Sequence, residues 1–262
     1  MVDGVRGIRV LDGEEANKYL EIINIFHNVA QKYDCTFIKI PTIEKDELFT
    51  RTVGENTDIV TKQMFSFPDK KGRNLVLRPE GTAGVVRHHI DKKYNKIKKY
   101  YYSDQMFRYE RPQKGRYREF HQVGAEIIGY ENDSIAEIFS IIQLSNDFLE
   151  NCIPTNTKYT FEINSIGTNE DRKIYNQKLK EYFKKNIDNL SDDSIKRLDK
   201  NPLRILDSKD KSDIAVSRNA PKLSEFRSEE SNKKFNELIQ MLKNSKIPYL
   251  ENPFLVRGLD YY

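Results

Sequence analysis

The stretch Phe107-Arg108-Tyr109-Glu110-Arg111-Pro112-Gln113-Lys114-Gly115-Arg116-Tyr117-Arg118-Glu119-Phe120 decides how this chain is read. It joins two β-rich runs, Tyr100 to Glu110 and Arg118 to Tyr130, through a basic segment holding Pro and Gly. That order predicts a long hairpin with a charged tip. Alternate residues of a strand share a face, so Arg108 and Glu110 are expected to point the same way. A planar guanidinium there can grip a phosphate, and a carboxylate can accept from an adenine amino group. Phe120 offers a ring to stack on a base, and Arg116 a cation for a terminal phosphate. The plainer alternative is a surface hairpin with cross-strand ion pairs, each contributing about 0.2–1 kcal/mol.

Outward from the hairpin, local patterns alternate between helix and strand. Ala16, Tyr19, Leu20, Ile23, Phe26, Ala30 and Tyr33 recur three or four apart and predict a helix over Glu14 to Tyr33. Thr36 to Ile40 reads as a short strand stopped by Pro41. Glu55 to Phe67 reads as loop and strand, and Leu75 to Leu77 as a strand fragment. Pro79-Glu80-Gly81-Thr82 introduces a helix to about Tyr94. Ser134-Ile135-Ala136-Glu137 has capping-box spacing and opens a helix to about Leu149. Tyr159 to Asn164 is a strand; Lys-rich helical segments fill Gly167 to about Lys246; Phe254 to Tyr262 is again strand-like. A sheet-based core interrupted by a helical insertion explains this order. The expected division is a core over 1–166, an insertion over 167–248 and a return to the core over 249–262.

Composition narrows the class less. Of 262 residues 37% are hydrophobic, and 29 are Tyr or Phe, whose large rings can anchor a core. The net charge of +4 is too mild to establish nucleic-acid binding. From Glu170 to Lys246, however, about 19 Lys and Arg face about 14 Asp and Glu. That excess fits either a solvated helical surface or one that tracks an RNA backbone. Cys35 and Cys152 lack a second Cys or His at ligand spacing, so no metal site is expected. Adjacent His88 and His89 face different ways on a helix and read as structural. Strand alternation turns His121 away from Phe120 and Gln122. No apolar run approaches membrane-span length and no signal-peptide pattern follows Met1, so a soluble, cytoplasmic protein without a membrane partner is expected.

Several motifs in one order are more specific than any alone. Arg-x-Glu, a variable loop and Arg-x-x-x-Phe resemble motif 2 of class II aminoacyl-tRNA synthetases. Leu77-Arg78-Pro79-Glu80-Gly81-Thr82-Ala83-Gly84 resembles the amino-acid-binding segment of histidyl-tRNA synthetases, and Gln122-Val123-Gly124-Ala125-Glu126 its continuation of motif 2. Asn164-Ser165-Ile166-Gly167 and the run Asn201 to Lys209 resemble segments at and within that family's insertion. Leu255-Val256-Arg257-Gly258-Leu259-Asp260-Tyr261-Tyr262 resembles its histidine-specific motif. The resemblance covers essentially the whole chain. Two departures are Ile8-Arg9-Val10 after Arg6-Gly7, where the family usually has an Asp and a Pro, and Lys62-Gln63-Met64 in place of a Lys-Glu-Met run.

The resemblance implies an α+β fold, an antiparallel sheet flanked by helices. It also implies a reaction: histidine and ATP give histidyl-adenylate and pyrophosphate, and the histidyl group then passes to tRNA(His). ATP is a substrate, accompanied by Mg2+. Attack of a carboxylate on an α-phosphate needs alignment and charge neutralisation, so arginines matter most. Arg108 and Arg257 are implied as catalytic; Glu110, Arg116 and Phe120 join Arg108 in binding ATP. Glu80, Thr82 and Gln122 are implied to hold the histidine α-amino group, Glu126 and Tyr262 to face its imidazole, and Arg257 to approach the same centre. Without the family, Glu80 and Thr82 are helix-capping residues, Glu126 an exposed strand residue and Tyr262 a core ring. Arg111 and Gln113 are implied to touch the tRNA acceptor end, or else form a solvated turn. The helix, strand and Pro41 resemble motif 1, implying a homodimer through that region. Motif 3 and the anticodon-binding domain of the family are not matched, so the chain is expected to be an N-terminal portion inactive alone. The rivals are a non-catalytic regulatory relative of histidine biosynthesis and a plain RNA-binding module.

Overall fold

The structure, a computed structural model, describes residues 2–53, 59–129 and 134–256. Contacts divide the chain near residue 156 into two compact units. The first holds α1 (Gly13–Lys32), β1 (Thr36–Phe37), β2 (Ile43–Lys45), α2 (Asp46–Val53), a π-helical turn at Ile59–Gln63, β3 (Phe65–Pro68) and β4 (Asn74–Leu77). It continues with α3 (Thr82–Asp91), β5 (Lys98–Phe107), β6 (Glu119–Ile128) and α4 (Ile135–Cys152). The second holds β7 (Phe161–Ile163), α5 (Asn169–Lys185), α6 (Asp192–Leu198), α7 (Lys211–Ser217), α8 (Glu229–Asn244) and β8 (Tyr249–Glu251). The architecture is α+β, as expected.

In the first unit β5 and β6 form an antiparallel ribbon of ten paired positions, with β1 parallel to β5 at its edge. A second antiparallel sheet runs β2-β4-β3. The apolar face of α1 buries Phe26, Val29 and Ala30 and packs with α4 on one side of the ribbon. Phe26 meets Phe148 edge-on with ring centroids 5.1 Å apart and Tyr101 at 6.1 Å. With that side closed by apolar packing, the opposite side of the ribbon is where polar chemistry can sit.

Four expectations change. The strand foreseen at Thr36 to Ile40 pairs only at Thr36–Phe37, because beyond Ile38 the Ile40 carbonyl turns to the Arg78 side chain. Arg108 and Glu110 lie beyond the end of β5, not on it: the Tyr109 amide leaves the ladder for the Gln63 carbonyl at 2.7 Å. Ser134 caps α4 by accepting from the Glu137 amide, but Glu137 pairs with Lys99 at 3.2 Å and does not complete a capping box. The run from Phe254 is not a strand in its described part, since the Asn252 side chain captures the Phe254 amide at 3.0 Å and turns the chain. Its remainder lies outside the described residues, as does the part of the expected loop at 54–58.

The second unit is helical around Tyr175, Leu179, Phe183, Leu203, Ile205 and Leu223, and it also contains the parallel pair β7 and β8. Two buried carboxylates hold its helices at their N-termini. Asp171 completes a capping box with Thr168 at the start of α5 and also accepts from the Ser228 amide and Ser231 hydroxyl at the start of α8. Asp213 on α7 accepts from the Ser191 amide and from the hydroxyls of Ser191, Ser194 and Ser208. Among the described residues no helix is long and apolar enough to cross a membrane.

Candidate active site

Strand register assembles the site. The partners Met106–Phe120, Asp104–Gln122, Tyr102–Gly124 and Tyr100–Glu126 alternate along β5 and β6 and share one face. The first turn of α3 contacts β6 and brings Glu80 and Thr82 to that face. Glu80 is 2% exposed, and its carboxylate accepts from the amides of Thr82 at 2.6 Å and Ala83 at 3.0 Å. It therefore caps α3, where Gly81 has no side chain to do so. A carboxylate has about four acceptor positions, so capping leaves Glu80 capacity for a further donor. Thr82 does not cap; its hydroxyl donates to Glu126 at 2.7 Å.

Glu126 is half-buried, not the exposed strand residue of the plainer reading. Burial pushes its carboxyl up to about 7; the Thr82 hydrogen bond opposes this and the charge of Glu80 adds to it. Near neutral pH it can donate or accept a hydrogen bond, which suits a ring bearing two different nitrogens. Between the two carboxylates stands Tyr102, 1% exposed. Its hydroxyl accepts from the Gln122 amide nitrogen at 3.3 Å, while burial and the charges of Glu126 and Glu80 keep it protonated. The Gln122 carbonyl oxygen is buried without a hydrogen-bond partner. A Cβ at either Gly81 or Gly124 would overlap the Tyr102 ring, so the ring fills a slot that two glycines leave open.

Arg108 occupies the other end of the same face. Its guanidinium carbon lies 5.0 Å from the centre of the Phe120 ring, and its Nε donates to the Pro79 carbonyl at 2.9 Å. Glu110 and Arg116 are brought together with each other: Arg116 Nε stands 2.8 Å from Glu110 Oε2 as an ion pair without hydrogen-bond alignment. Arg111 and Gln113 are exposed, and Gln113 closes a turn on Arg116 through Lys114 and Gly115, whose φ of +77° suits glycine. The loop is pinned by the Arg118 amide on the Gly7 carbonyl at 2.8 Å and by the Arg118 guanidinium over the Tyr109 ring at 3.8 Å. Arg257 and Tyr262 lie outside the described residues.

His121 points away from this face, as expected, with its ring 4.3 Å from that of Tyr19 on α1. His88 and His89 pack against Tyr94 and Tyr100. Among the described residues no group of three or more His, Cys, Asp or Glu could hold a metal ion.

Sequence reasoning missed Tyr102, and with it the buried pair Arg78 and Asp104, each 1% exposed. Arg78 donates to the carbonyls of Ile40 at 2.5 Å and Gln105 at 2.7 Å, and its Nη2 lies 3.2 Å from Asp104 Oδ1. Lys39 reaches the same carboxylate oxygen. The available signal was an acidic residue inside the aromatic run Tyr100-Tyr101-Tyr102-Ser103-Asp104.

The family model for histidyl-tRNA synthetase matches residues 7–262. The histidine–tRNA ligase of Francisella philomiragia is 45% identical over 98% of this chain and 61% of its own length. That of Aquifex aeolicus is 43% identical over all of this chain and 64% of its own length. The chain thus spans about 60% of the curated relatives it matches. The apo histidyl-tRNA synthetase of S. aureus superposes on the whole chain with a TM-score of 0.75 at 31% identity, covering 60% of that structure. A Bacillus halodurans protein described as an ATP phosphoribosyltransferase regulatory subunit/histidyl-tRNA synthetase shares the fold at 22% identity, with a TM-score of 0.65.

Proposed function

The chain belongs to the histidyl-tRNA synthetase family, and on that footing we propose that it carries the histidine- and ATP-binding part of an enzyme that makes histidyl-adenylate and charges tRNA(His). The observation that carries this reading is one strand face with two ends. At one end Glu126, Thr82 and Glu80 gather two carboxylates and a hydroxyl; at the other Arg108 lies over Phe120. Histidine has a cationic amino group and a ring for the first end, and a carboxylate to present at the second.

Glu80, Thr82 and Gln122 take the α-ammonium, with the buried Gln122 carbonyl oxygen as a waiting acceptor. Glu126 and Tyr262 take the imidazole. Arg108 and Arg257 neutralise charge as a histidine carboxylate oxygen attacks the ATP α-phosphorus and pyrophosphate leaves; the protein aligns the partners and no acid or base is required. Phe120 stacks on adenine. Glu110 and Arg116 bind ATP after exchanging their mutual ion pair for the adenine amino group and a terminal phosphate. Mg2+ arrives on the phosphates of ATP as part of the substrate. Arg111 and Gln113, exposed at the loop tip, meet the tRNA acceptor end. Residues 167–248 are an insertion toward that acceptor, the motif 1 region pairs two copies as a homodimer, and the reaction belongs to the cytoplasm.

Histidine-dependent ATP–pyrophosphate exchange tests the proposal, on the 262-residue chain and on its reading frame carried to a natural stop. Exchange in the longer protein supports it; exchange there alone also makes the chain inactive by itself. Histidine binding without exchange in either would move the assignment to a regulatory relative.

A further inference from the structure

The buried pair of Arg78 and Asp104 plays no part in the chemistry above, yet it adjoins both halves of the site. A guanidinium 1% exposed needs a counter-charge, and Asp104 supplies one from the centre of β5. Arg78 is held at both backbone polar groups: its amide donates to the Thr42 carbonyl at 3.0 Å, and its own carbonyl accepts from the Phe107 amide at 3.0 Å; its Nη2 makes no hydrogen bond and meets Asp104 as an ion pair. Its side chain joins the Ile40 and Gln105 carbonyls. The next residue, Pro79, has no amide hydrogen to anchor it. Its carbonyl nevertheless receives Arg108 Nε at 2.9 Å, and Glu80 follows immediately with the α3 cap. Asp104 is also the register partner of Gln122.

We propose that Asp104 is a positioning residue for Arg108, acting through Arg78 and the Pro79 carbonyl. The inference rests on the synthetase reading, because it assigns the consequence to the α-phosphate step. Asp104 fixes Arg78 sideways against β5, Arg78 fixes the level of Pro79, and the Pro79 carbonyl sets the angle at which Arg108 lies on Phe120. A buried ion pair suits this task better than stabilisation, since its desolvation offsets much of its attraction while its geometry stays narrow. The orphaned Oδ2 of Asp104, buried without a hydrogen-bond partner, fits a carboxylate retained for placement and not for hydrogen-bond count.

The test is histidine-dependent ATP–pyrophosphate exchange by the full reading-frame protein and its Asp104→Asn, Asp104→Glu and Arg78→Lys variants. Rates are divided by active sites counted from the adenylate burst. Asp104→Asn is expected to lower kcat per active site about 10–100-fold, the scale of a misplaced reacting group, with the histidine KM changed less than about threefold. Asp104→Glu should recover part of the loss. Unchanged kcat per active site, with only fewer active sites or a lower melting point, would overturn the positioning role. So would a raised histidine KM at constant kcat, which would put Asp104 in the amino-acid pocket itself. Should Asp104→Asn not fold, Arg78→Lys gives the same readout, because it keeps the charge and loses the planar fork; an unchanged kcat per active site there also overturns the proposal. A parent protein without exchange removes the synthetase reading and this inference together, which distinguishes that failure from the others.

Discussion

The two units bury carboxylates in opposite ways. In the helical unit Asp213 is fully buried and collects one amide and three serine hydroxyls. Burial alone would raise its pKa, but the hydrogen bonds from Ser208, Ser191 and Ser194 prevail and hold it below the usual carboxylate range. Asp171 behaves alike. In the sheet unit Glu126 has one hydroxyl donor and a second carboxylate nearby, and its pKa rises to about 7. Asp104 keeps one oxygen orphaned. A carboxylate satisfied from its own surroundings holds helices together. Glu126, short of donors, keeps acceptor capacity that its own surroundings do not use, and under the proposed function that capacity meets histidine.

The largest expected effect tests the satisfied side. Asp213→Ala strips the partner from four donors and should cost roughly 3 kcal/mol or more of unfolding free energy, measured by urea denaturation. Because the folded pKa of Asp213 is depressed, its contribution is full above the unfolded value and is lost as pH falls through the folded one. The parent should therefore lose stability in acid faster than the variant. Equal acid profiles would break the contrast.

Glu126→Gln tests the unsatisfied side, with an expected loss of about 100-fold in kcat/KM for histidine, near 2.7 kcal/mol, in pyrophosphate exchange. Stability should move the other way. A raised carboxyl favours the folded state at low pH and loses that contribution as pH rises from the ordinary 4.5 through about 7. Denaturation at several pH values should show the parent, and not Glu126→Gln, weakening across that window. A variant that is equally active, or that weakens with the parent, would make Glu126 structural.

Smaller effects sharpen the picture of the slot. Gly124→Ala places a methyl group on the Tyr102 ring and should cost about 1–3 kcal/mol by thermal melting. Tyr102→Phe in that background should not restore it, since the conflict includes the ring carbons as well as the hydroxyl. Smallest is Arg116→Ala. Its pair with Glu110 is half-exposed on the arginine side, so stability should change by less than about 1 kcal/mol while the KM for ATP rises. A large stability loss with an unchanged ATP KM would return the pair to plain surface structure.

How much of this was legible follows from the range of each interaction. The α1 periodicity, the hairpin and the Ser134 cap are local patterns, and α1 and both hairpin strands appear within a few residues of their expected limits. The family motifs placed Glu80, Thr82, Gln122 and Glu126, which the fold brings to one face. Arg108 and Glu110 were expected to share a strand face. That failed because Gln63, distant in sequence, takes the next amide. Tyr102 and Asp104 escaped for a related reason. Their partners Gly81, Gly124, Arg78 and Gln122 come from other segments, so their roles become visible only once register is known.

Glu80 caps the start of α3 and, in the proposed site, meets the substrate with the same two oxygens. Any cation drawn to that carboxylate competes for electron density with the Thr82 and Ala83 amides, and any occupant that stills the proposed site also stills the first turn of α3. Occupancy of the proposed site is thereby written into the deuterium uptake of two backbone hydrogens: filling it changes how often that turn opens, and exchange at those amides follows the site without a turnover.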